Sequence, residues 1–439
     1  MIPLATSLFN KNGNRLFQIG FDSNRLVFPM PLKYVSSWIG GACAVELAMP
    51  GCWAPAASEK TGQLRLHNWL GTYTADFRQV ESLWPEQTDQ VFLSRQYLAA
   101  QANALPDGLR PRFLVLEDET GPFAWLALQL VDFRALDHIR EESVWQSQWK
   151  RLLGRLAQFR LLICGNLFML GENGWLLRPD WQGKDSFTRS LGSILRALAR
   201  RDGAQVVVCK DFNNKWTYRE RGLLHALHFQ PNMVLNIQDS WLSFEDYRQA
   251  MSSKYRVRQK RAFKKAEGLK FKPLNIEEIE AWSEQIASLY QGVVLASGFA
   301  MAMVEAPYFP CLKRALGDKY RLTGVFEGEE LKGFYSTIRN GEDLEANFIG
   351  FSPACNTEHQ LYLNMLYRMV EESILTGAKR LVLSRTALEI KSSIGAVAEP
   401  AYVYMAHVNP ILNGLVPLSV GLLEPVERWE PRHPFGKAE

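Results

Sequence analysis

The chain of 439 residues is 22% charged and 47% apolar, with 31 glycines and 21 prolines. That is an ordinary globular composition, and it excludes collagen-like, coiled-coil and disordered classes. The length suggests two or three domains with cores of their own. No uncharged apolar run reaches the roughly 18 residues that a membrane-spanning helix needs. Six cysteines, at 43, 52, 164, 209, 311 and 355, show no C-x-x-C spacing; they point to reduced thiols in a cytoplasmic protein rather than a disulfide frame or a zinc site. The formal charge of +4 is local, because Lys254–Lys265 holds seven bases and no acid, and the rest of the chain is net negative.

In chain order, residues 1–80 read as an extension of uncertain structure. Its apolar stretch Trp38–Met49 contains Glu46, lies far from the start and lacks the basic segment of an export signal. Phe21–Leu32 and Pro50–Gln63 are rich in turn formers. Residues 81–240 show a helix at Leu93–Ala104, strands at Phe113–Glu117, Phe123–Phe133 and Phe159–Leu170, and a helix at Phe187–Arg200. A strand at Gln205–Lys210, a helix at Arg219–Leu227 and a closing strand at Met233–Ile237 follow.

Residues 241–425 repeat this order more clearly. Helices are expected at Phe244–Ala266, with Ser243 as N-cap, and at Ile276–Ala296. Strands at Tyr320–Phe326, Leu331–Arg339 and Leu344–Phe351 are separated by Glu327-Gly328 and Asn340-Gly341, the latter a strong hairpin signal in which both residues are expected at positive φ. A helix at Glu358–Leu375, a buried strand at Arg380–Leu383, a helix at Ala387–Ser393 and a strand at Ala401–Val408 complete the second unit, and residues 426–439 form a tail. The fold class expected is α/β (α+β): two copies of one unit, each a mixed sheet flanked by helices.

Leu344–Arg385 (LEANFIGFSPACNTEHQLYLNMLYRMVEESILTGAKRLVLSR), with Thr386–Pro400 after it and Leu83–Ala100 opening the first copy, resembles a GNAT unit, the fold of Gcn5-related acyltransferases, duplicated as in FemABX-like and other tandem-GNAT proteins. The resemblance covers roughly residues 80–425. It implies acyl-CoA as co-substrate, bound beside Phe351, Asn356, Thr357 and His359, with no metal. One departure is plain. The Q/R-x-x-G-x-G/A loop whose bare amides hold the CoA pyrophosphate is replaced by Ser352–Gln360, which has no glycine and carries Glu358. Thr357-x-x-Gln360 fits a capping box that would occupy those amides. FemABX-like proteins, which use aminoacyl-tRNA, would permit this.

On Leu344–Phe351 alternation places Leu344, Ala346 and Phe348 on one face and Glu345, Asn347 and Ile349 on the other. A central strand covered on both sides is ordinarily apolar on both. Glu345 and Asn347 are therefore expected to line a cavity, with Glu345 as general base; the alternative is a structural ion pair with Arg321 or Arg339. Tyr335 and Thr337 share one face of the neighbouring strand, placed to bond a substrate or to form ordinary cross-strand pairs. Ser384, Arg385 and Lys391 stand at the carboxyl end of a parallel strand, where Arg385 or Lys391 could clamp a phosphate or carboxylate.

Lys254, Arg258, Arg261 and Lys265 form one helical stripe, suited to tRNA or another polyanion, or else to solvent. His225 and His228 lack a third ligand nearby, Cys164 reads as a buried thiol, and no G-x-S-x-G turn or G-K-[ST] loop occurs. The function expected is an N-acyltransferase that passes an acyl group from acyl-CoA to a small-molecule or peptide amine by direct attack. Aminoacyl-tRNA-dependent transfer, and a non-catalytic anion-binding module on the same fold, are the alternatives.

Overall fold

A computed structural model of the chain describes residues 7–9, 15–18, 62–134, 158–212, 216, 223–228, 230–297, 302–423 and 429–436. The expectations for 21–61, including the stretch at 38–49, and for 219–222 lie outside these residues. A hairpin of β1 (Ser7–Phe9) and β2 (Arg15–Gln18) belongs to one compact unit, Met1–Trp53; the rest of the description concerns the other, Ala54–Glu439.

The first sheet begins earlier than expected, with β3 (Gly62–Leu66) and β4 (Trp69–Thr74) in the segment read as an extension. It continues through helix α1 (Arg95–Ala104) into β5 (Leu109–Asp118), β6 (Gly121–Arg134) and β7 (Gln158–Cys164). The short β8 (Trp175–Leu177) pairs with β6. Helix α2 (Lys184–Arg201), with eight buried residues on one face, then crosses over to β9 (Val206–Phe212), which lies parallel to β7. His225–Leu227, expected as helix, is part of strand β10 (His225–His228), because it finds an antiparallel partner in a strand far along the chain.

The second half holds β11 (Asn232–Asn236), α3 (Phe244–Ala250), α4 (Ser253–Lys265), β12 (Leu269–Pro273), α5 (Ile276–Ala281), α6 (Ser283–Ser297) and α7 (Tyr308–Leu316). The antiparallel strands β13 (Tyr320–Glu327), β14 (Glu330–Asn340) and β15 (Asp343–Phe351) come next. After them run α8 (Pro353–His359), α9 (Leu361–Leu375), β16 (Arg380–Val382), α10 (Leu388–Ser392), β17 (Val397–Glu399), β18 (Tyr402–His407) and α11 (Pro410–Leu423). Ser243 caps α3 in a reciprocal box with Asp246. The single helix expected at 244–266 is two, because Met251 and Ser252 are extended and the Ser252 N–H is taken by the Pro434 carbonyl at 2.7 Å.

Two mixed sheets result, one ordered β10-β18-β9-β7-β6-β5-β4-β3, the other β12-β13-β14-β15-β16-β11-β17. The last strand of each half lies in the other half's sheet. β11, expected to close the first unit, sits between β16 and β17; β18, expected to close the second, sits between β9 and β10. The boundary near residue 240 therefore divides the sequence order of elements but not the sheets. A core cluster common to both halves packs Phe92, Tyr97 and Phe113 with Tyr308, Phe309, Phe334 and Phe348.

Candidate active site

In the second sheet the parallel pairing of β15 with β16 covers only Asp343–Glu345 against Arg380–Val382, and β15 then runs on alone on that side to Phe351. Gaps of this kind at the carboxyl ends of parallel strands are where open α/β sheets bind ligands. A bulge opposite Ser336 shifts the register between Tyr335 and Thr337. The strict alternation expected on β15 therefore fails. Leu344, Ala346, Ile349 and Phe351 face one core and Phe348 the other, and the Phe348 amide exposed by the bulge donates to Ser336 Oγ at 3.0 Å.

Glu345 is 8% exposed. The expectation of a carboxylate open to a crevice is not met, and neither is the ion-pair alternative. Arg321 approaches Glu372 at 3.9 Å, Arg339 donates to the Gly377 carbonyl, and Glu345 Oε1 accepts from Asn340 Nδ2 at 2.7 Å. Asn340 is itself not a turn residue: it pairs with Asp343 at the end of β14, leaving Gly341, at φ 58°, to turn the hairpin. Its Oδ1 accepts from the Val91 N–H at 2.9 Å, which ties the two halves together at the carboxylate. Burial raises the Glu345 carboxyl to about 8, against the Asn340 hydrogen bond and helped by Asp343.

Lys210, from β9, brings a buried amine into electrostatic reach of Glu345; burial and the Arg385 guanidinium push it well below the usual ammonium range. It donates to the Asn166 and Met169 carbonyls and to Asp211 at 3.0, 2.7 and 2.7 Å. Asn347 donates to Met169 Sδ, and its buried Oδ1 has no hydrogen-bond partner among the described residues. Lys210, Asp211 and Asn166 went unnoticed in the sequence, because they reach the site from strands and loops of distant sequence position, and Asn340, five residues before Glu345, was read only as a turn residue.

The stripe on α4 lines a cavity of about 720 Å³. Lys254, Arg258 and Arg261 form one wall, Gln360 at the start of α9 another, and Glu389 and Ile390 of α10 with Arg432 of the C-terminal segment close it. Arg432 pairs with Glu389 at 3.2 Å, whereas Lys254, Arg258 and Arg261 have no carboxylate within 4.0 Å among the described residues. Lys265 is exposed but does not line the cavity; its carbonyl bonds His359 Nδ1 at 2.6 Å.

No family profile matches the sequence, and no curated protein does. Solved structures match. FemX is 11% identical, with 78% of this chain and 99% of that chain covered and a TM-score of 0.45. A tandem GNAT protein from the clavulanic acid biosynthesis pathway is 10% identical over 71% of this chain and 87% of that one, at 0.41. An L-PGS from Bacillus licheniformis is 13% identical over 79% and 97%, at 0.41. In both sheets here, antiparallel strands lead into a parallel pair joined by a helical crossover. This is the order of elements expected above for two GNAT-like units.

In the second GNAT-like unit the glycine-free loop folds into α8, and Gln360 turns left-handed at φ 50° between α8 and α9. The capping box does not form. Thr357 lies inside α8 with its hydroxyl on the Pro353 carbonyl, and Asn356 Oδ1 instead accepts the Tyr362 N–H of α9 at 2.8 Å. His359 is spent on Lys265 and Glu327, and Phe351 packs on Tyr362. Tyr335 is core, its hydroxyl driven upward by burial, and Thr337 bonds Glu372 on α9 at 2.6 Å. Arg385 is tied to Asp211, and Lys391 to the backbone around Ser384; neither is an open anion clamp. Cys164 is fully buried beside Cys209.

Proposed function

We propose that the chain is an N-acyltransferase that anchors its donor by phosphates on Lys254, Arg258 and Arg261. The observation that carries this is the unneutralised stripe lining the cavity at the start of α9. Three clustered cations without carboxylate partners among the described residues have a high affinity for a polyanion. The transfer itself needs the attacking amine to lose a proton; the group this reading assigns to accept it is Glu345, buried outside the lining of that cavity and held by Asn340 with its carboxyl near 8. The first unit supplies Lys210 and the 166–169 loop that pack against this centre.

Acyl-CoA is the donor that a GNAT-like fold implies. Aminoacyl-tRNA is favoured by one specific observation: Asn356 covers an α9 amide that would otherwise face a pyrophosphate, so anion contacts fall on side chains of α4. Isothermal titration with acetyl-CoA, longer acyl-CoAs and charged tRNA separates the two. Arg258→Glu with Arg261→Glu is expected to weaken donor binding about 10-fold or more, with a shallower salt dependence. Failure of all three donors to bind overturns the proposal. Binding without turnover, and Glu345→Gln without effect, would leave an anion-binding module.

A further inference from the structure

Ser384 stands where β16 turns into α10. Its backbone is left-handed at φ 64°, and Thr386 and Ala387 after it are left-handed too, at 66° and 48°. Left-handed serine, threonine and alanine in one turn are strained, and strain of this kind persists where the surroundings impose it. The Met233 N–H holds the Ser384 carbonyl at 3.2 Å and fixes the turn. A partly exposed serine is thereby presented at a sharp strand-to-helix turn, without the glycines that mark such turns in sequence.

Lys391, on α10, reaches back to the same turn. Its Nζ lies 3.2 Å from the Ser384 carbonyl, 2.7 Å from the Arg385 carbonyl and 3.4 Å from Ser384 Oγ. Lys391 is 3% exposed, and no carboxylate among the described residues pairs with it. A neutral amine with two N–H groups on the two carbonyls has its lone pair available to the Ser384 hydroxyl, which also lies 3.4 Å from the Arg385 carbonyl.

We propose that Ser384 and Lys391 form a serine–lysine dyad that accepts acyl groups on Ser384 Oγ from small activated esters. The inference goes beyond donor binding and direct transfer, because it assigns a covalent route to residues outside the basic stripe. Burial alone lowers the Lys391 amine to about 7, so a large share is neutral at neutral pH. Serine is activated by an adjacent amine in this way on unrelated folds.

In the forward step the Ser384 Oγ–H proton passes to Lys391 Nζ as Oγ bonds the ester carbonyl carbon. The tetrahedral adduct collapses with cleavage of the carbonyl–alkoxy bond, and the departing alkoxide takes the proton from Lys391. An acyl-serine ester and a neutral amine remain. Water or an amine acceptor then attacks the acyl carbon and passes its proton to Lys391, which returns it to Ser384 Oγ as the ester bond breaks. Among the described residues the Thr386 and Ala387 N–H groups have no acceptor, which leaves them as the donors the proposal gives the oxyanion.

The full-length chain is treated with p-nitrophenyl acetate, and both p-nitrophenol release and peptide mass are followed. A burst of one equivalent and one acetyl group on the peptide containing Ser384 are expected. Ser384→Ala should abolish both, Lys391→Met should slow the burst about 100-fold or more, and Ser384→Cys should carry the acetyl as a thioester. Melting curves identify any variant that fails to fold, and Ser384→Ala and Ser384→Cys alter only one atom of a partly exposed side chain. An unchanged burst in Ser384→Ala, an acetyl group on Lys391, or no acetylation of the folded wild-type chain overturns the dyad. The probe has no phosphate, so these outcomes are independent of whether acyl-CoA or tRNA binds.

Discussion

A carboxyl buried next to an amide, as Glu345 is against Asn340, keeps its proton to higher pH than it would in the unfolded chain. Its value rises from 4.5 to about 8, so the folded state holds more protons between those limits, and stability falls as pH rises through that window. Glu345→Gln mimics the protonated form and removes this slope. The melting temperature of the variant should gain on the wild type between about pH 5 and pH 8. Activity should behave oppositely: if Glu345 takes the amine proton, turnover of the wild type rises with pH toward 8, and the variant loses about 100-fold or more. Thermal melts and initial rates over the same pH range check both signs. Gly350 is a second residue on which the site depends. A methyl group there would meet the Tyr290 backbone nitrogen at 2.6 Å, where α6 crosses β15. Gly350→Ala should therefore destabilise the fold by about 1–3 kcal/mol in denaturant titrations.

At the scale of elements, local signals were legible and their interruptions were not. The strands around Gly328 and Gly341, the N-cap at Ser243 and the amphipathic faces of α2 and α9 lie close to their expected places. The breaks at 251–252 and at Gln360 were missed, because one is set by a distant contact and the other by a left-handed residue, neither of which helical periodicity encodes, and the break at Trp282 was missed with them. Helix α7 was overlooked although Tyr308, Phe309, Leu312 and Leu316 give it a buried face and Gly317 a stop. The candidate site was half legible. The basic stripe and the chemistry-bearing Glu345 stood out, but the bulge on β15 and the partners from β9 depend on register and topology. Gln360 offers a test at this scale. Gln360→Gly relieves a left-handed side chain and should leave stability unchanged or raise it by up to about 1 kcal/mol, whereas Gln360→Val should lower it. Melting curves of the two variants decide.

For the molecule as a whole, the exchange of β11 and β18 means that neither half owns a complete sheet. Alternating apolar residues announced both strands, but a pleat pattern says nothing about which sheet receives it. A fragment of residues 241–439 would lose β11, which joins β17 to β16, and a fragment of residues 54–240 would lose β18. Each fragment alone should give poorly dispersed amide spectra, and mixing the two should restore the native dispersion. Independent folding of either fragment would contradict the pairing.

The same interlacing bears on synthesis. While the ribosome is still making the second half, β9 and β10 have emerged with an unfilled slot between them, and it stays vacant until Tyr402–His407 has left the exit tunnel. Unpaired strand edges of that kind invite aggregation. The nascent polypeptide must be shielded while most of the second half is made, and its yield in a host should depend on holdase chaperones more than its finished stability would suggest.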